Sequence, residues 1–410
     1  MKSVGGILVV ASVLLLHVQA ATPARESISS AGSAALSQYL SATVDRADVP
    51  GVVALVVDRE GVLYQGAAGK LNVALQVKMP ADALFRIASM TKPVTSVATM
   101  MLVDAGKIGL DDPVSQFLPE FENRQVISSF NAADGSIDTR PARRPITIRH
   151  LLTHTSGLGY AFSSPTVARL LQGSQKTEVD LPLLHDPGEK WTYSASTRVL
   201  GLVVEKVSGR PLEAFLRDRI FGPLKMADTS YGVPPEKLAR VVTVHQRTGG
   251  TLVELPNSPA QQSPVRGDGG LYSTASDYGI FLQMLLNGGT LHGTRLLSET
   301  SVRMMGENQI GSVVIEEQPA ADPARTKPFP LGAGRDKFGF GFQIAAPDER
   351  YAALRSPGSL SWAGINNTHF WIDPNRHIAA VMLMQVLPFY DDACIQALRG
   401  FEALVYRHLG

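Results

Sequence analysis

The sequence has a single cysteine, Cys394, among its 410 residues. One thiol cannot form an intrachain disulfide, so a hydrophobic core has to stabilise the fold. Cys394 lies in an apolar helical pattern, where we expect a buried and unreactive thiol. A chain of this length can bury enough surface for one large domain or two smaller ones.

The chain also lacks an excess of charge of either sign, with 38 Lys and Arg residues against 37 Asp and Glu residues. Without a basic stripe to neutralise phosphates, nucleic-acid binding is not expected. No Gly-x-Ser-x-Gly elbow occurs, which argues against an α/β-hydrolase. His150 and His154 have a spacing that can bind zinc, but no Glu follows His150 and no third ligand is evident. We expect the two histidines to be structural and expect no metal or organic cofactor.

Long apolar runs are missing except near the N-terminus. Lys2 supplies a positive start, Ile7 to Leu16 form an apolar run, and Val18-Gln19-Ala20 gives the small residues of a signal-peptidase site. The run is shorter than the ~20 residues that a membrane span needs. We therefore predict a signal peptide at residues 1–20, cleaved after Ala20, and an exported protein, periplasmic or secreted, without a stable membrane anchor.

Strand patterns lie at both ends of the mature chain, and helical patterns lie mostly between them. Strands are predicted at 52–57, 62–66, 338–344, 368–372 and 378–384, and terminal helices at 28–44 and 391–408. This order predicts an α/β (α+β) fold with an antiparallel sheet flanked by the terminal helices. Within one domain, residues 21–410, the sheet part is expected at about 21–85 and 336–410 and a mostly helical inserted region at about 86–335. Long loops at 120–145, 245–268 and 315–337 are expected to be site walls or lids, with disorder as the alternative.

A serine and a lysine stand three residues apart at the start of an apolar helical pattern. Ser89 and Lys92 therefore share a helix face. Serine needs a base to become a nucleophile, and a lysine made neutral by burial can serve. Pro93 lacks the N–H that would pair with the Ser89 carbonyl, which fits a helix that begins at Ser89. The free N–H groups at that end favour the negative charge that develops during attack on a carbonyl.

The segment around Ser89 resembles the Ser-x-x-Lys motif of the serine β-lactamase and penicillin-binding-protein superfamily. The run from Phe85 to Pro93 is similar to the class C β-lactamase-related branch, in particular its family VIII carboxylesterases. Further matching segments follow in that branch's order: Leu151–Leu158, Trp191–Ser194, Gly269–Asp277 and Trp362–Gly364. The resemblance covers about residues 30 to 405. It implies a β-lactamase/transpeptidase-like fold with the active site in the cleft between the sheet and the helical region.

The resemblance implies a role for Tyr193, which matches the tyrosine of the family's Tyr-x-Asn motif. It would share proton transfer with Lys92, and we expect nearby positive charge to lower its pKa. The asparagine of that motif is replaced by Ala195. The site therefore lacks a hydrogen-bonding side chain for a substrate amide, which an ester does not need.

The segment Trp362-Ala363-Gly364 stands where the family has Lys-Thr-Gly or His-x-Gly. The cation that helps to hold a substrate carboxylate is replaced by Trp362, the form found in the esterase branch. The resemblance implies that these three residues bind substrate, with Gly364 allowing a close approach. It also implies that the backbone N–H groups of Ser89 and Ile365 form the oxyanion hole.

These residues together predict an exported serine hydrolase that forms an acyl-enzyme on Ser89. Ala195 and Trp362 favour a carboxylesterase for small or short-chain esters, whose partner is a small-molecule ester or amide substrate. A β-lactamase or D-alanyl-D-alanine carboxypeptidase of the same fold is the first alternative, and a noncatalytic penicillin-recognising module is the second. Hydrolysis against acyl transfer, and the oligomeric state, are left open by the sequence.

Overall fold

The computed structural model describes residues 1–2, 25–256, 264–348 and 354–410. Apart from its first two residues, the predicted signal segment lies outside these ranges. Helices are α1 Ser30–Asp45, α2 Thr91–Asp104, α3 Ile148–Leu152, α4 Pro165–Leu171, α5 Ser196–Ser208, α6 Leu212–Leu216, α7 Gly222–Leu224, α8 Ala275–Leu286, α9 Glu299–Gly306 and α10 Asp392–His408. Strands are β1 Gly51–Asp58, β2 Val62–Asn72, β3 Val77–Lys78, β4 Phe85–Arg86, β5 Gln125–Phe130, β6 Ile137–Pro141, β7 His245–Thr248, β8 Thr251–Glu254, β9 Tyr272–Ser273, β10 Thr290–Leu291, β11 Thr294–Arg295, β12 Lys337–Phe338, β13 Gln343–Ile344, β14 Leu360–Gly364, β15 Thr368–Asp373, β16 Ile378–Leu383 and β17 Val386–Leu387. None of the helices in the described ranges combines the length and apolarity that crossing a bilayer requires.

The main sheet has eight strands in the order β12-β13-β14-β15-β16-β1-β2-β3. Every neighbouring pair in it is antiparallel. β1 lies between its hairpin partner β2 and β16, which comes from the other end of the chain. The predicted antiparallel sheet is confirmed, as are the first hairpin and the strands at 368–372 and 378–384.

Both faces of the sheet are covered, which explains the unbroken apolar run of β1. All eight β1 residues are buried. Because successive strand residues point to opposite faces, Val52 and Val56 pack with the terminal helices α1 and α10. Val53 and Leu55 pack instead into the larger core that includes α8. A strand buried on both sides reads as continuously apolar instead of alternating.

The predicted strand at 338–344 is wrong as a single element. β12 and β13 are two-residue strands that pair with each other as a hairpin. A Cβ at Gly339 would lie 2.1 Å from the Met305 carbonyl oxygen, and Gly341 has φ +91°. Left-handed backbone of that kind favours glycine and turns the chain. The alternating glycines therefore make a turn.

Two of the predicted long loops contain hairpins. β5 and β6 pair within residues 120–145, and β7 and β8 pair within residues 245–268. β7 also pairs in parallel with β17 near the C-terminus. The hairpins escaped prediction because their strands are short and rich in polar residues, such as the run His245–Thr248.

Candidate active site

Ser89 lies in a 3-10 turn, Ala88–Met90, between β4 and α2. The α-helix begins at Thr91 and not at Ser89 as the proline argument predicted. Ala88 adopts φ +46°, a left-handed conformation that costs free energy in a non-glycine residue. The turn leaves Ser89 partly exposed just ahead of a helix whose residues from Thr91 to Leu102 are all buried.

Hydrogen bonds hold the turn on both sides. The N–H of Ile87 donates to the Leu271 carbonyl at 3.0 Å, and the hydroxyl of Tyr278 donates to the Met90 carbonyl at 2.9 Å. Leu271 lies just before β9, and Tyr278 lies in α8. The strained turn is therefore held in place by elements remote in sequence. Such fixing is what allows an unfavourable backbone conformation to persist.

Lys92 and Ser89 are in direct contact. The Lys92 ammonium donates to Ser89 Oγ at 3.0 Å and to the backbone carbonyl of Asp268 at 2.9 Å. The lysine side chain is only 1% exposed. The predicted pair is therefore within proton-transfer distance, with a buried amine beside the hydroxyl.

The pKa of Lys92 is lowered to about 7. Burial is the main cause, because it disfavours the charged ammonium. The positive charges of Arg198 and Arg266 lower the pKa further, while the Asp268 carboxylate opposes them. A large fraction of Lys92 is therefore neutral near pH 7 and can accept a proton.

We expect the acid limb of the pH profile of kcat/KM to report Lys92. Activity should fall tenfold per pH unit below about pH 7, because the protonated amine cannot act as a base. Arg198→Gln should raise the pKa of Lys92 and move this limb up by roughly one pH unit, and Asp268→Asn should move it down. Two shifts of the same sign, measured with a short-chain ester, would contradict this assignment.

Tyr193 completes the group. The Lys92 Nζ lies 4.8 Å from the centre of its ring, and the neighbouring Ser89 side chain acts to lower the pKa of Tyr193. The N–H of Tyr193 donates to Gln318 Oε1 at 3.1 Å. Burial raises the pKa of Tyr193 above its usual value, which corrects the expectation that positive charge lowers it. Tyr193 is therefore a protonated phenol, suited to donate a proton, and the base is Lys92.

The end of β14 packs directly against the turn that carries Ser89. A Cβ at Gly364 would lie 2.3 Å from the Ile87 carbonyl oxygen, and the hydroxyl of Thr368 donates to that same oxygen at 3.3 Å. Gly364 is thus needed for packing of strand on turn. This contact sets the next residue, Ile365, beside the Ser89 turn.

Trp362 packs in an aromatic cluster beside Tyr193. Its ring centre lies 5.0 Å from that of Tyr193, 5.5 Å from Phe338 and 6.4 Å from His154. Trp191 completes the cluster at 6.3 Å. Where the expected motif would place a cation, the site therefore has an apolar wall.

The arrangement of nucleophile, buried amine and phenol suits acyl transfer through a covalent intermediate. The Beta-lactamase family model matches residues 36–404. The chain belongs to the β-lactamase family. The predicted superfamily membership is confirmed.

Several β-lactamase-family relatives match most of the chain. Protein Rv1367c from Mycobacterium tuberculosis is 36% identical over 372 residues, covering 86% of this chain and 90% of the relative. Monacolin J acid methylbutanoyltransferase from Aspergillus terreus is 30% identical over 388 residues, covering 87% and 92%. Esterase EstB from Burkholderia gladioli is 30% identical over 396 residues, covering 86% and 91%.

Among solved structures, the LovD6 mutant of simvastatin synthase from Aspergillus terreus superimposes with a TM-score of 0.79 at 27% identity. The superposition covers 92% of this chain and 95% of the synthase chain. The fold is thus the α/β fold of the β-lactamase family. With esterase and acyltransferase relatives in this family, the chain is a serine hydrolase or acyltransferase.

Sequence reasoning missed a buried polar network behind Lys92. The hydroxyl of Tyr160 donates to Asp268 Oδ2 at 2.6 Å, and its ring centre lies 5.2 Å from the Lys92 Nζ. Arg198 bridges Asp268 and Glu178 at 3.1 and 3.0 Å. Although burial acts to raise it, the pKa of Asp268 is lowered by the charges of Lys92 and Arg198. The Asp268 carboxylate is therefore bound by Tyr160 and Arg198. Its negative charge does not act on Lys92 alone, so it does not hold that amine in the protonated form.

The segment at 315–337 forms a wall of the site. A site wall or lid was one of the two outcomes predicted for this loop, and disorder was the other. Gln318 accepts from the N–H of Tyr193, and Phe329 lies 5.6 Å from the Tyr193 ring. Phe162 stacks on Phe329 with ring centres 6.3 Å apart and also lies 6.4 Å from the Tyr193 ring. No local signal in the sequence identified these contacts, since both aromatic residues lie in irregular loops.

The two histidines that matched a zinc spacing have separate structural roles. The His150 ring accepts from the N–H of Thr147 at 3.1 Å and caps α3, and burial lowers its pKa to about 4. His154 lies in the aromatic cluster, 3.2 Å from the Ser194 hydroxyl. Within the described ranges no group of three His, Cys, Asp or Glu side chains is arranged to hold a metal. Cys394 is buried, and burial raises its pKa well above the usual value.

Proposed function

We propose that the chain is an exported carboxylesterase that hydrolyses small or short-chain esters through an acyl-enzyme on Ser89. The observation that supports this choice is Trp362, an indole packed against Tyr193 and Phe338. A site wall of this kind offers no charge to a substrate carboxylate. Ala195, buried at the start of α5, offers no side-chain hydrogen bond to a substrate amide. Both features favour a neutral ester over an anionic β-lactam.

In the proposed reaction, neutral Lys92 accepts the hydroxyl proton as Ser89 Oγ attacks the ester carbonyl carbon. The N–H groups of Ser89 and Ile365 donate to the oxyanion of the tetrahedral intermediate. Tyr193 donates its proton to the departing alkoxide and regains one from the Lys92 ammonium. Water then attacks the acyl-enzyme with Lys92 as base, which releases the carboxylic acid and restores Ser89.

A substrate panel tests the ester assignment. We expect kcat/KM for p-nitrophenyl butyrate to exceed that for nitrocefin by about 100-fold or more, because the site lacks polar contacts for the lactam substituents. Trp362→Lys should lower the ratio of kcat/KM for the ester to kcat/KM for nitrocefin. Trp362→Phe, the matched control, should leave that ratio unchanged. A higher kcat/KM for nitrocefin in the wild-type protein would support the β-lactamase or carboxypeptidase alternative instead.

Acyl transfer is a second candidate because one relative is a monacolin J acid methylbutanoyltransferase. Product analysis of the same ester reaction with and without an added alcohol or thiol separates the two outcomes. A hydrolase yields mainly free acid in both conditions. A transferase yields mainly the new ester or thioester once the acceptor is present.

Export is proposed from the N-terminal sequence alone. Expressed in a bacterial host, the protein should accumulate outside the cytoplasm, and its N-terminal peptide should begin at Ala21 by mass spectrometry. Ala20→Asp should block cleavage because the peptidase accepts only small residues there, whereas Gln19→Asp should not. Recovery of uncleaved wild-type protein from the cytoplasm would contradict the proposal.

A further inference from the structure

Tyr193 lies on a segment without regular secondary structure. Residues 191–194 form neither helix nor strand. The N–H of Thr192 donates to the His154 carbonyl at 2.9 Å. The next N–H, that of Tyr193, donates to the side-chain oxygen of Gln318 at 3.1 Å, across 125 positions of sequence. The backbone at Tyr193 is therefore held by a side chain from a distant part of the chain.

The side chain of Gln318 is fixed in the orientation that accepts this hydrogen bond. Its Nε2 donates to the Glu316 carbonyl at 3.0 Å, while its Oε1 accepts from the Tyr193 N–H. Both polar atoms of the amide are therefore hydrogen-bonded in a buried position. A buried N–H without an acceptor costs free energy, so loss of Oε1 would favour movement of the Tyr193 backbone toward another acceptor.

Phe329 contacts the ring of the same tyrosine from the same segment, 315–337. The two ring centres lie 5.6 Å apart, with the ring planes at 88°. Gln318 and Phe329 are paired by two backbone hydrogen bonds, one of 2.6 Å from the N–H of Gln318 and one of 3.2 Å from that of Phe329. The segment therefore holds Tyr193 at two points, the backbone N–H through Gln318 and the ring through Phe329.

The placement of the Tyr193 phenol matters most when the leaving group needs a proton. The alkoxide of a simple alcohol is a strong base and departs only as it is protonated, whereas p-nitrophenolate is a stable anion that departs without protonation. Proton transfer requires hydrogen-bond distance between the phenol and the leaving oxygen, and a misplacement of about 1 Å can cost about 100-fold in rate. Esters of simple alcohols should therefore be the substrates most sensitive to the position of Tyr193.

We propose that Gln318 is a positioning residue for Tyr193, acting through the backbone N–H of that tyrosine, and that it makes the site competent for esters of simple aliphatic alcohols. The inference rests on the proposed function, in which Tyr193 protonates the departing alkoxide. Gln318 makes no hydrogen bond to Ser89 or Lys92 in the part of the chain that the structure describes. Its effect on the reaction is therefore transmitted by Tyr193.

Rates with ethyl butyrate and p-nitrophenyl butyrate test the proposal, because the two esters share an acyl group and differ in the leaving group. Gln318→Met has a similar length and no acceptor oxygen. It should lower kcat/KM for ethyl butyrate by about tenfold or more and that for p-nitrophenyl butyrate by less than about threefold. Gln318→Glu, which keeps an oxygen at that place, should return the ratio of the two kcat/KM values to within about threefold of the wild-type ratio. Should Gln318→Met not fold, Gln318→Asn, whose shorter side chain withdraws the oxygen, should show the same selective loss.

Gln343→Leu is the matched control. Gln343 is a second buried glutamine that holds the segment 315–337, and it donates to the Leu331 carbonyl at 2.6 Å and to Asp336 Oδ2 at 2.7 Å. Neither of these hydrogen bonds involves Tyr193. Its replacement should lower the thermal unfolding midpoint and leave the ratio of kcat/KM for the two esters unchanged.

Equal losses for both esters in Gln318→Met, or a ratio that changes as much in Gln343→Leu, would overturn the proposal, because Gln318 would then only stabilise the fold. Tyr193→Phe separates this failure from a failure of the proposed function. Its loss should exceed that of Gln318→Met and fall mainly on ethyl butyrate. A wild-type ratio in Tyr193→Phe would refute Tyr193 as the acid and both proposals with it, whereas a selective loss in Tyr193→Phe alone would refute only the role of Gln318.

Discussion

Replacing Ser89 with alanine will reduce ester turnover by about 10⁴-fold or more, because among the described residues Ser89 carries the one hydroxyl to which the Lys92 amine is hydrogen-bonded. The Lys92 amine, 3.0 Å away, loses the group whose proton it takes. The partly exposed position of Ser89 means that removing one oxygen leaves the fold intact. Initial rates with p-nitrophenyl butyrate and covalent labelling by a fluorophosphonate probe measure both consequences.

Ser96→Ala is a suitable control, since Ser96 is a buried serine on α2, the helix that follows the Ser89 turn. It should keep both turnover and labelling. Labelling that survives Ser89→Ala would refute Ser89 as the nucleophile. Wild-type protein that forms no acyl adduct by intact mass, and turns over no ester or lactam, would instead support the noncatalytic module.

Replacing Lys92 with methionine will reduce kcat by about 10³-fold or more while leaving the protein folded. Methionine has a similar length and no charge, so it fits a buried position that the ammonium occupies at a desolvation cost. Lys92→Arg should be equally inactive, because a guanidinium stays protonated and cannot act as a base. kcat from full saturation curves, with the unfolding midpoint as a fold check, measures the effect.

Ser89 and Lys92 should act as a unit. The double variant should be no slower than Ser89→Ala alone, because a base without its nucleophile contributes little. Multiplicative losses, or an active Lys92→Arg variant, would show that Lys92 acts through its charge alone. Either outcome would also mean that the acid limb of the kcat/KM profile does not report protonation of Lys92.

The sequence could predict the Ser89 and Lys92 pair because their relation is local. Two residues three positions apart across one helical turn lie on the same side of the chain, and this holds for the 3-10 turn of Ser89 that leads into α2. The hairpin of β1 and β2 was predictable for the same reason. The Tyr160 and Asp268 contact was not, because it joins residues 108 positions apart and depends on how the whole fold packs.

Context also changed how single residues are understood. Tyr193 was expected to have a lowered pKa from its neighbours, but burial raises it, and burial cannot be read from the residue type. Gly364 was expected to make room for substrate, whereas the Ile87 carbonyl occupies the space of its missing Cβ. The sequence identified both residues correctly as part of the site. Packing in the folded protein, however, determines the physical role of each.

The pairing of β1 with β16 has a consequence for biosynthesis. Val53 pairs with Leu383, so the centre of the sheet cannot close until the ribosome has made nearly the whole chain. Until then β1 is an apolar strand with one open edge, which exposes it to association with other chains. This delay leaves the main sheet open during most of synthesis, which is compatible with the export proposed above. Loss of the last strands and of α10 would therefore leave the main sheet incomplete, with β1 unpaired on the side where β16 lies.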